Sequence, residues 1–201
     1  MEFNALLSFF DLLGTFAFAL SGAIAGTGKK MDLFGMYVLS LATAVGGSTL
    51  RSILIGNRPL SILVDPNYLI VCLLATILVF YFRNQISNYR KTLLFYDAFG
   101  LGIFLSIGVT VSIQAGLSYW ASIIMGVITA SFGGVMRDIF SAEIPLIFKR
   151  ELYATVCLAG GLIYIALSYL NFSRELIILS SAAFVFVFRI IAIQYNLRLP
   201  K

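Results

Sequence analysis

Charged residues are scarce in this chain, and histidine is absent from it. Only 11% of its 201 residues are Asp, Glu, Lys or Arg, and its two cysteines, Cys72 and Cys157, lie inside apolar runs. Without histidine, the chain lacks a common metal ligand and the usual proton carrier at neutral pH. No nucleophile stands beside a base, and no carboxylate dyad is evident. We therefore expect no enzyme activity, no catalytic residue, no metal site and no cofactor.

Apolar residues dominate the chain. They make up 60% of it, and the mean hydropathy is +0.98, far above that of a soluble domain. Seven apolar runs are long enough to cross a hydrocarbon layer about 30 Å thick. They cover residues 5–27, 33–56, 67–83, 92–113, 118–141, 152–170 and 175–196. The sequence predicts an all-α integral membrane protein with seven transmembrane helices, forming one transmembrane domain over 1–201.

The basic residues are distributed unequally between the two sets of connections. One set, with the C-terminus, holds Lys29, Lys30, Arg83, Arg90, Lys91, Lys149, Arg150, Arg198 and Lys201, and the other set holds Arg58 and Arg174. Because cytoplasmic connections accumulate Lys and Arg, this predicts a multi-pass protein of the cell (inner) membrane, with its N-terminus outside and its C-terminus in the cytoplasm. Topology then explains the net charge of +5. Membrane lipid is expected as a partner and nucleic acid is not.

The chain contains an internal repeat. A shift of 86 residues aligns 11–80 with 97–166, and several uncommon residues then coincide. The matches include Asp11 with Asp97, Gly14 with Gly100, Gly22 with Gly108, Gly47 with Gly133, Arg51 with Arg137 and Pro59 with Pro145. Because each copy holds three spans, the second copy must be inverted in the membrane, as in many transport proteins. The last span, about 175–196, lies outside the repeat and is expected to serve packing or oligomerisation.

Glycine-rich segments occur at equivalent places in the second and fifth spans. They comprise Gly46, Gly47, Ser48 and Thr49 in the second span, and Gly133 and Gly134 in the fifth. Paired glycines permit a kink or a partly unwound turn, whose freed carbonyl groups can face a hydrated pathway. The alternative is that the glycines allow close packing of helices. Because the double glycine recurs at symmetric positions, we favour a functional kink.

One arginine follows each glycine segment. An arginine at membrane depth costs about 2.5–3.5 kcal/mol on the insertion scale, so Arg51 and Arg137 are expected to have partners. The repeat predicts two symmetry-related ion pairs, Asp11 with Arg51 and Asp97 with Arg137, and Asp138 competes for Arg137. The alternative is that both arginines lie at the headgroup level and extend towards water without a partner.

These features together resemble one family. The duplicated three-span unit, the seventh helix and the motif Gly-Gly-x-x-Arg-Asp, complete at 133–138, are similar to the prokaryotic TRIC family of trimeric intracellular cation channels over essentially the whole chain. The first copy departs from the motif, with Ser48 in place of a glycine and Ser52 in place of the aspartate. The resemblance implies a homotrimer in which each subunit conducts K⁺ between kinked second and fifth helices. It marks Gly46, Gly47, Ser48, Thr49, Arg51, Gly133, Gly134, Arg137 and Asp138 as pore-region residues.

Two other functions stay open at this point. The first is a carrier for a small amino acid such as glycine, since related bacterial domains are labelled glycine transporters. A carrier for a zwitterion needs a free cationic group for the carboxylate, whereas a cation channel needs its arginines neutralised. Carboxylate partners on both Arg51 and Arg137 would therefore favour the channel. The second alternative is a membrane scaffold, against which the inverted repeat argues.

Overall fold

A computed structural model describes residues 2–149 and 152–197, and its regular structure within those ranges is helical. The helices are α1 (Glu2–Gly28), α2 (Leu33–Ile55), α3 (Ser61–Val64), α4 (Asn67–Phe82), α5 (Tyr89–Gln114), α6 (Tyr119–Phe140), α7 (Leu146–Lys149), α8 (Ala154–Tyr169) and α9 (Arg174–Gln194). A 3₁₀ turn, Arg83–Gln85, extends α4. Three basic residues used to predict the topology, Arg150, Arg198 and Lys201, lie outside the described residues.

Each predicted span contains one apolar helix. Among the described residues, six helices are long and apolar enough to cross a membrane, namely α1, α2, α4 with its 3₁₀ extension, α5, α6 and α9. The seventh, α8, is apolar but has 16 residues, which gives a length of about 24 Å. The predicted all-α fold with seven transmembrane helices is confirmed.

Local sequence signals fix several helix ends. The carboxylate of Asp32 accepts a hydrogen bond from the amide of Gly35 at 2.7 Å and caps the start of α2. The side chain of Asn88 caps α5 in the same way through the amide of Lys91, at 3.0 Å. Gly56 ends α2 with φ of 78°, a left-handed conformation that glycine adopts without strain.

Four helices form the core, and the others pack around it symmetrically. α1, α2, α5 and α6 pack against one another, with α1 on α2 and α5, and α6 on α2 and α5. α4 packs on α1 and α2, and α8 packs in the corresponding way on α5 and α6. α9 lies outside this pattern, on α5 and α8. The arrangement is that of two inverted three-helix repeats followed by a seventh helix.

Candidate functional site

The glycines of the two repeats lie where α2 crosses α6. A Cβ atom placed on Gly47 would overlap the backbone carbonyl oxygen of Thr129, and one placed on Gly133 would overlap that of Thr43. Thr43 and Thr129 are 86 residues apart, as are Gly47 and Gly133, so each contact is the repeat equivalent of the other. The two helices thus approach each other backbone to backbone.

Neither helix unwinds at these glycines. α2 and α6 are helical without interruption from Leu33 to Ile55 and from Tyr119 to Phe140. The interpretation of the glycines as a partly unwound turn with freed carbonyl groups is therefore wrong. The physical reason is that the missing side chains make room for the facing helix, which is the packing role common in membrane bundles.

Two phenylalanines pack against each other in the middle of the four-helix core. Phe18 of α1 and Phe104 of α5 are repeat equivalents, and their rings are 5.1 Å apart between centroids. Both are almost fully buried, at 1% and 2% exposure. Phe18 also lies against Gly133, where its ring atoms would come within 3.2 Å of an added Cβ. The aromatic pair and the glycine crossing therefore form one continuous packed layer, which we call the central layer.

A buried ionic cluster lies at the Asp97 end of the core. The guanidinium of Arg137, which is fully buried, donates to Asp97 at 2.6 Å, to Ser21 at 2.7 Å and to Asp138 at 2.9 Å. Tyr153 donates to the same oxygen of Asp97 at 3.3 Å. The predicted ion pair of Arg137 with Asp97 is present, and Asp138 is a second carboxylate partner. Its full burial excludes the alternative that Arg137 extends to the headgroup level.

Gly134 makes room for this cluster. A Cβ atom on Gly134 would lie 2.7 Å from the hydroxyl oxygen of Tyr153 and 3.2 Å from Asp97. On the far side, the second carboxylate oxygen of Asp138 accepts a hydrogen bond from the amide of Leu146 at 2.8 Å. Gly134 thus leaves space for the cluster around Arg137, and Asp138 neutralises the charge of that arginine.

The equivalent arginine at the other end is not paired. Among the described residues, no carboxylate oxygen lies within 4.0 Å of the Arg51 guanidinium, and its Nε and Nη1 atoms are buried without hydrogen-bond partners. The predicted pair of Asp11 with Arg51 is therefore wrong. Tyr68 donates to Asp11 and occupies one of its oxygens, while Ser52 stands where the second repeat has Asp138. Both carboxylate partners available to Arg137 are thus missing for Arg51.

A cavity opens at the end of the core that contains Asp138, and we call it the Asp138 cavity. Its volume is about 350 Å³, and its lining includes Asp138, Lys29, Arg90, Lys149 and Glu143. Glu143 accepts hydrogen bonds from Lys29 at 2.7 Å and from Lys149 at 3.4 Å. These two ammonium groups, Lys29 foremost, lower the pKa of the Glu143 carboxyl below its ordinary value.

A second cavity opens at the opposite end of α1 and α5, and we call it the Asp11 cavity. Its volume is about 190 Å³. It is lined by Leu7, Ser8, Asp11, Leu12, Arg51, Asp65, Tyr68, Ile107 and Val111. No group of three metal-ligating His, Cys, Asp or Glu side chains occurs in the described ranges. The central layer separates the two cavities.

The predicted site residues divide between these places. Arg51 and Asp11 line one cavity and Asp138 the other, whereas the motif residues Gly46, Gly47, Ser48, Thr49, Gly133 and Gly134 line neither. Gly46 faces the side chain of Met136, 3.3 Å from an added Cβ. The hydroxyl of Ser48 donates to the carbonyl of Val45 on its own helix at 3.0 Å. The pore role of these residues remains a prediction.

Sequence reasoning missed three residues of the clusters. Tyr68 and Tyr153 each donate to the aspartate of their own repeat, yet they are 85 residues apart. A one-residue gap after the matched prolines would have aligned them, and Cys72 with Cys157 as well. Arg189 of α9 is 1% exposed and lies over the ring of Tyr153, 4.7 Å from its centroid. No repeat signal marks it, because α9 has no counterpart.

Comparisons with known proteins identify relatives of the whole chain. A family model described as Glycine transporter matches residues 8–84 and again 94–169. The inner membrane protein YadS of Escherichia coli strain K12 is 36% identical over 198 residues, covering 97% of this chain and 95% of that protein.

Solved structures agree with these sequence relatives. A TRIC trimeric intracellular cation channel orthologue from Rhodobacter sphaeroides superposes with a TM-score of 0.92 at 33% identity, covering 96% of this chain and 99% of that one. A prokaryotic TRIC channel solved in 0.5 M KCl gives a TM-score of 0.91 at 31% identity, covering 98% and 100%. Both similarities extend over nearly the full length of each chain.

Proposed function

The chain belongs to the prokaryotic TRIC family, and on this basis we propose that it is a channel for monovalent cations, K⁺ in particular, with one pore in each subunit. The observation that carries the proposal is the alignment of two cavities at opposite ends of one four-helix core. Each cavity holds carboxylates at its mouth, Asp11 and Asp65 at one end and Asp138 and Glu143 at the other. Carboxylate oxygens that can attract a cation are thus present in both cavities, and in the Asp138 cavity Lys29, Arg90 and Lys149 lie beside them.

The pathway runs between α2 and α6 and is closed at the central layer. Conduction requires α2 and α6 to separate at the contacts of Gly47 with Thr129 and of Gly133 with Thr43. In the part of the chain that the structure describes, no hydrogen bond joins Gly47 to Thr129 or Gly133 to Thr43, because both threonine hydroxyls donate within their own helices. Arg137 does not oppose a passing cation, because two carboxylates neutralise it within 3 Å.

The assembly and orientation follow from the same proposal. The subunit forms a homotrimer, which the name of the related Rhodobacter channel supports. Lys29, Arg90 and Lys149 line the Asp138 cavity, and this basic character supports assigning that end to the cytoplasm. The N-terminus then lies outside. The assembly is tested by mass photometry of the detergent-purified protein, where three copies per particle are expected.

The conduction proposal is tested by reconstituting the purified protein into planar bilayers under a KCl gradient. Discrete openings that reverse near the K⁺ equilibrium potential are the expected result. Asp138→Asn removes a carboxylate from the cavity lining and one of the two charge partners of Arg137, and it is expected to reduce the K⁺ current severalfold because the guanidinium charge is then less neutralised. Currents reversing at the Cl⁻ potential, or a silent bilayer, would contradict the proposal.

A carrier for a small amino acid is the second candidate, and one observation favours it. No carboxylate of the described residues forms an ion pair with Arg51, and an arginine without such a partner is what a carrier for a zwitterion needs. Carboxylate partners on both arginines would favour the channel. Arg137 has such partners, whereas none of the described carboxylates pairs with Arg51. Uptake of radiolabelled glycine into proteoliposomes separates the two candidates, since the channel proposal expects no saturable uptake.

A further inference from the structure

One buried arginine belongs to neither repeat. Arg189 of α9 is 1% exposed, and its Nη1 atom donates to the backbone carbonyl oxygen of Leu152 at 3.3 Å. Among the described residues, its Nε and Nη2 atoms have no hydrogen-bond partner and no carboxylate oxygen lies within 4.0 Å of it. A buried cation is strongly unfavourable unless opposite charge lies near it. The charge that balances Arg189 must therefore act across another side chain.

Tyr153 connects Arg189 to the buried ionic cluster. The guanidinium carbon of Arg189 lies 4.7 Å from the centroid of the Tyr153 ring, and the hydroxyl of the same tyrosine donates to Asp97 at 3.3 Å. The opposite charges of Arg189 and Asp97 also both act on the thiol of Cys157. In a low-dielectric interior, charges on two sides of one ring interact without a hydrogen bond between them.

The charges of the cluster balance only when Arg189 is counted. Asp97 and Asp138 both form ion pairs with Arg137, so two negative charges share one positive charge. Two carboxylates in one buried site disfavour each other's ionised form. Arg189 supplies the second positive charge, and the four described side chains are then neutral as a group. The Arg51 end of the core has no equivalent, because α9 has no counterpart in the first repeat.

We propose that Arg189 is a positioning residue that keeps both carboxylates of the cluster ionised, by holding Tyr153 against Asp97 and by supplying the fourth charge. Without that charge, Asp138 is expected to bind a proton from bulk water. Asp138 lines a cavity open to solvent, whereas the Asp97 side chain is fully buried. The α9 helix thus has an electrostatic role besides packing. This role requires no ion conduction, so it goes beyond the channel proposal.

The other charged groups that face Asp138 lie in water. Its cavity is also lined by Tyr89 and Arg90 of α5, Lys29 after α1, Glu143 after α6 and Lys149 of α7. Glu143 forms ion pairs with both lysines, and all five side chains are exposed. Solvent screens such charges strongly. Tyr153 and Cys157, which face Arg189 from α8 and the residue before it, are neutral at neutral pH. None of these groups replaces the charge of Arg189.

The test is infrared difference spectroscopy of the purified full chain at neutral pH, which detects a protonated carboxyl group by its C=O stretching band. Arg189→Met retains an unbranched apolar side chain without the charge, and it is expected to gain one such band relative to the wild type. Arg189→Lys retains the charge and is expected to show no additional band. Arg174→Met removes an exposed arginine from the same helix and is expected to match the wild type.

A second variant identifies the protonated group. Arg189→Met/Asp138→Asn leaves Arg137 and Asp97 as a neutral pair, so the additional band of Arg189→Met is expected to disappear. If Arg189→Met does not fold, the double variant is expected to recover folded protein in size-exclusion chromatography, because it restores neutrality. No recovery in that case would overturn the proposal.

Three spectra would also contradict the proposal. They are an Arg189→Met spectrum equal to that of the wild type, an additional band of the same size in Arg189→Lys, and a band that persists in Arg189→Met/Asp138→Asn. The first would show that the cluster needs no fourth charge, the second that the shape of Arg189 matters and its charge does not, and the third that the proton lies elsewhere. No ion current enters these measurements, so failure of the channel proposal would leave them unaffected.

Discussion

Arg137 and Asp97 form an ion pair that is buried completely, with 2.6 Å between the guanidinium nitrogen and the carboxylate oxygen. Their repeat equivalents, Arg51 and Asp11, hold the same places on α2 and α1 without making that contact. The two halves of the core therefore share a backbone plan and differ in electrostatics. At one end the arginine is neutralised by two carboxylates, and at the other end no described carboxylate forms an ion pair with Arg51.

This asymmetry predicts unequal effects of removing the two aspartates. Asp97→Asn leaves Arg137 with one carboxylate in a buried site, so we expect the free energy of unfolding to fall by about 3 kcal/mol. Asp11→Asn breaks no ion pair and is expected to cost about 1 kcal/mol or less. Denaturant unfolding in detergent measures both. Equal losses in the two variants would show that the clusters do not differ as described.

We expect alanine substitutions at the glycines where α2 crosses α6 to lower the free energy of unfolding by similar amounts. Gly47→Ala and Gly133→Ala each place a methyl group on the backbone of the facing helix, and overpacking of this kind costs about 1–3 kcal/mol. The two values are expected to agree, because the contacts are repeat equivalents. Gly28→Ala is the control, since an added Cβ there meets nothing within 4 Å. A loss for Gly28→Ala as large as for the crossing glycines would refute the packing role.

Because Gly134 leaves space for the cluster around Arg137, we expect Gly134→Ser to destabilise the protein. The new Cβ would meet the hydroxyl of Tyr153, so the cluster must shift and the expected cost is about 1–3 kcal/mol. Ser48→Gly makes the reverse exchange at the equivalent place in the first repeat, where no such cluster exists, and is expected to cost less than half as much. Thermal unfolding of the two purified variants provides the comparison, and the opposite order would contradict it.

We expect the ion pairs that Glu143 makes with Lys29 and Lys149 in the Asp138 cavity to depend on pH. Its pKa is lowered from the ordinary 4.5 by Lys29 and Lys149, so their bridge stabilises the loop above that pH and is lost as the pH falls through the lowered pKa. Lys29→Gln and Lys149→Gln together are expected to return the pKa towards 4.5. NMR titration of ¹³C-labelled glutamate measures it. The same Glu143 pKa in the wild type and in the double variant would show that Lys29 and Lys149 do not form ion pairs with Glu143.

Hydropathy and rare-residue identities were sufficient to predict the seven helices and the partnership of Arg137 with Asp97. They were insufficient for Arg51, because its pairing depends on whether Tyr68 competes for Asp11, and a sequence does not rank such competitors. The glycines at 47 and 133 were assigned to a functional kink, and their packing against the facing helix was not foreseen, because periodicity does not reveal what a glycine faces. Tyr153 and Arg189 were missed because one lies past a gap in the repeat and the other outside it.

We propose that ions cross the core between α2 and α6 at the central layer, which Phe18 and Phe104 help to close. The most direct test is the single-channel K⁺ current of the Phe18→Ala/Phe104→Ala double variant beside the wild type and Phe186→Ala, a control whose ring packs between α5 and α9. Removing the two central rings is expected to raise the open probability severalfold, while Phe186→Ala leaves it unchanged. A double variant that conducts K⁺ like the wild type would contradict a pathway through the central layer.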